Sequence, residues 1–262
     1  SWANKFNHNW GTVTFGGPFT SNSPWIYEWK SGVIAATADV TFGDTISLTI
    51  PDPSSNDRTL TVDAAAGASF TFPASTYFGT PAANGTTVKL AKNGEGDVRF
   101  AGSTLPAETT VSAGGFALCK SDATYDLSAV TFSAGTKLKI GASGITLSSV
   151  DASIANATFA ALDGYVPASG ATVLTCADST VLAQAQAGLN ASLASVGISV
   201  EIDGNSLVAA SHYTFNSSTV SDMNDATGWV NSLAAPAGQP VIIAGSQTAA
   251  VMDGAVPAYS AI

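Results

Sequence analysis

The sequence predicts an all-β chain wound as a parallel β-solenoid, with one flanking α-helix near 179–196 and capped ends. Three observations predict it. Strand-favouring runs of about three to six residues recur along the chain, roughly 7–14 residues apart, separated by Gly, Asn, Asp, Ser or Pro. Many runs are followed by a small-residue pair, as in "SAGTKLKIGASGITL". The runs are also shorter than the clean alternation of a sandwich strand, and short stacked rungs bury an inward ladder of Val, Leu, Ile and Phe while Thr, Ser and Lys point outward.

In chain order the expected strands are "GTVTF" at 11–15, "TISLTI" at 45–50, "RTLTV" at 58–62, "ASFTF" at 68–72, "TTVKL" at 86–90 and "DVRF" at 97–100. They continue with "ETTVSA" at 108–113, "VTF" at 130–132, "TKLKI" at 136–140 and "ITL" at 145–147. The glycines between them, Gly94, Gly96, Gly102, Gly114 and Gly115, mark corners, because a glycine inside a helix costs about 1 kcal/mol. The helix is expected in "DSTVLAQAQAGLNASLASVG", where Leu182, Ala185, Leu189, Leu193 and Val196 share a face. Asp178 or Ser179 supplies its N-cap and Gly197 its left-handed end. The domain expectation is an aromatic-rich N-terminal cap at 1–39, a solenoid module at 40–210, and 211–262 as a linker and the start of a second repeat-like module or exchanged strands. The last part rests on two similar segments, one after Trp29 and one after Trp229, each reading Trp, strand, Gly, strand, Pro, strand.

Composition narrows the function. With 262 residues and 45% hydrophobic content the chain buries a sizeable core. A net charge of -10 argues against nucleic acid, which demands clustered cations. No apolar run is long enough to span a bilayer. Every Lys and Arg lies at or before Lys139. That pattern fits a chain adapted to a protease-rich exterior, or simply the sparse charge of a Ser/Thr-rich surface protein. Cys119 and Cys176 read either as one disulfide, contributing about 4 kcal/mol in an oxidising space, or as two free buried thiols.

No catalytic constellation stands out. The two histidines, His8 and His212, have no second His at metal-ligand spacing, and neither "CxxC" nor "GxSxG" occurs. The closest carboxylate pairs are Asp52 with Asp57 and Asp222 with Asp225, while the only arginines are Arg58 and Arg99. "DMNDATG" lacks the ligand pattern of a calcium loop. No cation-plus-carboxylate cluster is expected in the repeat region, and neither a metal nor a cofactor is expected. The aromatic signal is stronger: Trp2, Phe6, Trp10, Phe15, Phe19, Trp25, Tyr27 and Trp29 crowd the start of the chain. Trp10, Trp25 and Trp29 are the candidate ligand-binding residues, stacking on a glycan or capping an open end.

"LAKNGEGDVRFAGSTLPAETTVSAGGFAL" resembles the passenger-associated repeat of bacterial autotransporters and related surface proteins. Leu90, Lys92, Gly94, Gly96, Val98, Phe100, Gly102, Thr109, Thr110, Val111, Ala113, Gly114 and Leu118 follow the order of that repeat; "STLPAE" stands where the family has a longer loop. The resemblance implies a right-handed solenoid at a bacterial cell surface or outside the cell, and no single activity. The expected function is a non-enzymatic structural protein: an adhesin, stalk or filament subunit. Its expected partners are another copy, met through coil ends or the C-terminal strand, or a surface glycan or host protein. The alternative is a carbohydrate-binding or polysaccharide-lyase module.

Overall fold

The computed structural model describes residues 4–53, 56–211, 213–215, 240–243 and 260–261. Its strands begin with β1 (Asn4–His8), β2 (Thr12–Phe15), β3 (Trp25–Trp29), β4 (Gly32–Ala36), β5 (Ile46–Ile50), β6 (Arg58–Ala64), β7 (Ser69–Phe72) and β8 (Tyr77–Phe78). They continue with β9 (Val88–Asn93), β10 (Asp97–Phe100), β11 (Glu108–Val111), β12 (Gly115–Leu118), β13 (Thr124–Leu127), β14 (Val130–Phe132), β15 (Lys137–Ile140), β16 (Ile145–Val150), β17 (Thr158–Ala161) and β18 (Thr172–Cys176). After α1 (Ser179–Leu193) come β19 (Ile198–Asp203), β20 (Ser206–Ser211), β21 (Tyr213–Phe215), β22 (Pro240–Ile243) and β23 (Ser260–Ala261). The expectation of a β-rich chain with one helix holds.

The strands form several sheets. Sheet I runs β1-β3-β5-β8, sheet II β14-β11-β9-β6-β4-β2, sheet III β17-β15-β12-β10-β7 and sheet IV β13-β16-β18-β20-β19, with β21-β22-β23 apart. The pairings are parallel except β18 with β20 and β19 with β20. The chain visits the sheets in a fixed order: β5, β6 and β7 lie in I, II and III, and β8, β9 and β10 repeat that order. Parallel partners stand between 18 residues apart in sequence, as Asp97 beside Gly115, and 30, as Arg58 beside Val88. Asn4 lies beside Trp25, and Trp25 beside Ile46, twenty-one residues on each time. Thr109 beside Val130 and Lys137 beside Thr158 keep the same interval. Because β1–β4 join these ladders, sheets I and II run across residue 39.

Strict alternation fills the space between the sheets. β6 buries Leu60, Val62 and Ala64 and turns Thr59 and Asp63 outward. In sheet III the inward residues stack rung on rung: the Phe72 and Phe100 rings lie 4.9 Å apart and nearly parallel, and Phe116 adds another ring 4.9 Å from Phe100. Each such contact adds about 1 kcal/mol beyond simple burial. The corners need glycine where strands crowd: a Cβ on Gly114 would lie 2.2 Å from the Gly96 carbonyl oxygen, and its φ is +69°.

The two ends of this body close differently. At one, Phe6 stacks on Tyr27 at 5.1 Å and His8 on Trp29 at 6.0 Å, while Phe19 and Phe42 pack edge-on and Phe15 tilted around Tyr27. At the other, α1 buries Val181, Leu182, Ala185, Leu189 and Leu193. Asp178 caps it as expected, accepting from the Thr180 and Val181 amides. Gly188 lets the helix meet β17, since a Cβ there would lie 2.1 Å from the Phe159 oxygen. Ser192 Oγ accepts from Ala161 N, and Gln184 donates to the Ile154 and Ala157 carbonyls, so helix side chains satisfy backbone groups beside β17. The β19–β20 hairpin meets β18 antiparallel and ends the parallel run.

One side chain overturns the expectation that lysines point outward. Lys92 sits between Val62 and Val111 on the inward face of sheet II and is fully buried. Its ammonium donates to the carbonyls of Asn93 (2.6 Å), Gly94 (2.8 Å) and Ala113 (3.2 Å), tying one corner to the next rung. Burial pushes the amine down to about 8, against the pull of Asp97, Asp63 and Glu95. An unfolded chain therefore binds more protons than the folded one between pH 8 and the ordinary lysine range, so this residue's contribution to stability rises with pH there. Relative to Lys92→Met, the natural chain should gain about 2–3 kcal/mol between pH 7.5 and 10, read from urea unfolding across that range.

Candidate functional site

The expected site residues lie far from one another in character. Trp29 is completely buried beneath His8 and Phe70, and so is closed to a sugar. Trp25 is half-buried on β3, and Trp10 is 83% exposed at the corner between β1 and β2. No ring contact joins the three. His8 is buried too: its Nε2 faces the Gly11 carbonyl at 3.2 Å, which fixes the proton there, and its Nδ1 accepts from the Tyr27 hydroxyl at 3.1 Å. Burial holds His8 below its usual pKa, with the Gly11 carbonyl pulling the other way.

The carboxylates singled out in the sequence pin loops. Asp52 Oδ1 accepts from the Tyr77 hydroxyl at 2.6 Å and from Thr80 N at 2.7 Å, and these bonds hold its carboxyl below the ordinary range. Asp57 accepts from Thr87 N and pairs with Lys89, which also reaches Glu108. Arg58 donates to the Pro51 carbonyl. Asp222, Asp225 and His212, like Trp2, lie outside the described residues. Cys119 and Cys176 are separate thiols, both made less acidic by burial, with Cys119 raised to about 11. At that value the thiolate population near neutrality is negligible and Cys119 is inert. Among the described residues no group of three or more His, Cys, Asp or Glu side chains could hold a metal ion.

The structure does assemble what the sequence reading expected to be missing: a cluster of cations and carboxylates, on the outward face of sheet III. Its cause is register. Inward Val98 and Phe100 turn Asp97 and Arg99 outward, and inward Leu138 and Ile140 do the same for Lys137 and Lys139. Between them the ladder places Gly115 and Ala117, Asp97 beside Gly115 beside Lys137 and Arg99 beside Ala117 beside Lys139. Those two small residues leave room for a bridge across the intervening rung. Lys139 Nζ reaches Asp97 Oδ2 at 2.8 Å, with Asp163 at 3.8 Å. Gly115 is required, since a Cβ there would meet Asp97 Oδ1 at 2.1 Å. Asp97 is buried, and Lys139 donates a hydrogen bond to its carboxylate there.

Arg99 behaves differently. Its guanidinium ends 4.0 Å from both Asp39 and Asp97, outside hydrogen-bond reach, and Nε is buried without a partner. Asp39 Oδ1 accepts from Ser69 Oγ at 2.7 Å and its side chain stays 62% exposed. The signal that would have revealed the cluster is the twenty-residue return: Arg99 and Lys139 occupy one outward column two rungs apart, although they are far apart in sequence.

Comparison with protein-family models, with curated proteins and with solved structures finds no match to this chain. Lys139→Met should cost about 2–4 kcal/mol by leaving the buried Asp97 carboxylate without its hydrogen-bonded cation, Arg99 standing too far to replace it, and adding Asp97→Asn should return most of that loss. Urea unfolding of the single and double variants measures both.

Proposed function

We propose that this chain is a non-enzymatic structural protein of a bacterial cell surface or the extracellular space, wound as a right-handed β-solenoid akin to the passenger repeats of autotransporters. The observation that supports the reading most is the repeated visit to sheets I, II and III in fixed order, with parallel partners 18 to 30 residues apart. A chain that stacks this way grows along one axis and carries loops at its corners, which suits an adhesin, stalk or filament subunit. The β21–β23 strands add support for a second repeat-like unit: Tyr213 lies beside Val241 and Val241 beside Ala261, in parallel, at intervals like those of the first body.

A second reading, a carbohydrate-binding module, is favoured by the outward cluster of Asp39, Asp97, Arg99, Lys139 and Asp163. In its polysaccharide-lyase form Arg99 would be the cation facing the sugar. The leading reading is tested on intact cells producing the chain. Antibody raised against it should label them without permeabilisation, or find it in the medium; confinement to the cytoplasm would refute the surface role.

A further inference from the structure

We propose that the outward face of sheet III binds a neutral, hydroxyl-rich polysaccharide chain laid along the stacking direction, with Arg99 and Asp39 as its principal contacts. This rests on the carbohydrate-binding reading and makes it specific. Arg99 carries unused hydrogen-bonding capacity. A guanidinium offers five N–H donors in a fixed fork; Arg99 makes no hydrogen bond to any described residue, and its Nε is buried without a partner. The side chain is 26% exposed and its fork stands beside two carboxylates without bonding either, so its outer N–H groups face solvent and are free to meet an incoming acceptor.

The charge pattern around Arg99 selects the chemistry of the acceptor. An oxyanion approaching Arg99 would meet Asp39 and Asp97, whose oxygens stand 4.0 Å from its Nη2. The cluster sets Arg99, Lys137 and Lys139 against Asp39, Asp97 and Asp163, so no net positive field draws an anion in. Donors and acceptors instead alternate. A hydroxyl accepts from the guanidinium while donating to a carboxylate, so vicinal hydroxyls match Arg99 beside Asp39, whose carboxylate is largely exposed. Thr71, next to Arg99 on β7, adds a further hydroxyl to the face.

Ser69, Asp97, Gly115, Lys137 and Thr158 occupy one row of adjacent strands. At about 4.8 Å per strand that row extends for about 19 Å. Asp163 continues the cluster at its far end with an 88% exposed side chain. A straight row suits an extended polymer better than a single small molecule.

The test is affinity electrophoresis of the full chain through gels holding a soluble β-glucan, a galactomannan, a dextran or polygalacturonate at physiological salt, followed by calorimetric titration of the polymer that retards it. At least one neutral polymer should bind more tightly than polygalacturonate. Arg99→Gln and Asp39→Asn should each weaken it at least tenfold, while Trp10→Ala leaves it unchanged. Should Arg99→Gln fail to fold, Asp39→Asn, an exposed and isosteric change, carries the test. A preference for polygalacturonate would overturn the neutral-ligand proposal and leave the carbohydrate-binding reading standing. Retention unaffected by Arg99→Gln and Asp39→Asn would overturn this site, and binding of no polymer would overturn both.

Discussion

The parallel backbone ladder is the constraint on which the rest depends. Strands hydrogen-bond in parallel to ones 18 to 30 residues away, and that pairing sets which side chains stack. Because pleating has a period of two, the ladder keeps Leu60, Val62, Val98 and Phe100 inward together and forces their neighbours outward together. A register slip of one residue would expose the phenylalanine ladder and turn Asp97 and Arg99 into the apolar interior. Packing and electrostatics are thus consequences of one pairing rule.

The same rule creates the two unusual ionisable groups. Lys92 belongs to the inward set, so it surrenders its hydration and takes three corner carbonyls instead. Lys139 belongs to the outward set, and because Gly115 and Ala117 keep the rung beneath it low, it spans to Asp97. Arg99 lies in the same column but finds its carboxylates too distant. A cation buried and satisfied, a cation paired, and a cation left over all follow from position in the ladder and from what the adjacent rungs carry.

The ends show how such a stack limits itself. An unpaired strand edge invites further pairing. Here α1 supplies side-chain partners for backbone groups beside β17, and the β19–β20 hairpin reverses direction against β18. At the opposite end aromatic rings fill the interior around Tyr27. The crowding of aromatics near the start of the chain therefore has a packing role for Tyr27 and Trp29, while Trp10 remains outside it.

The sequence by itself determined the β-rich class, the spacing of strands and corners, and the helix with its Asp178 cap, because alternation, glycine placement and capping act over a few residues. It hid strands such as "GVIAA" in β4 and "TFAA" in β17, whose small or uniformly apolar residues carry no alternating signal. Only the tertiary structure decided that Lys92 faces inward and that Asp97, Arg99 and Lys139 meet on one face. Those outcomes depend on which rung lies beside which, and the ladder, not any local stretch of residues, fixes that.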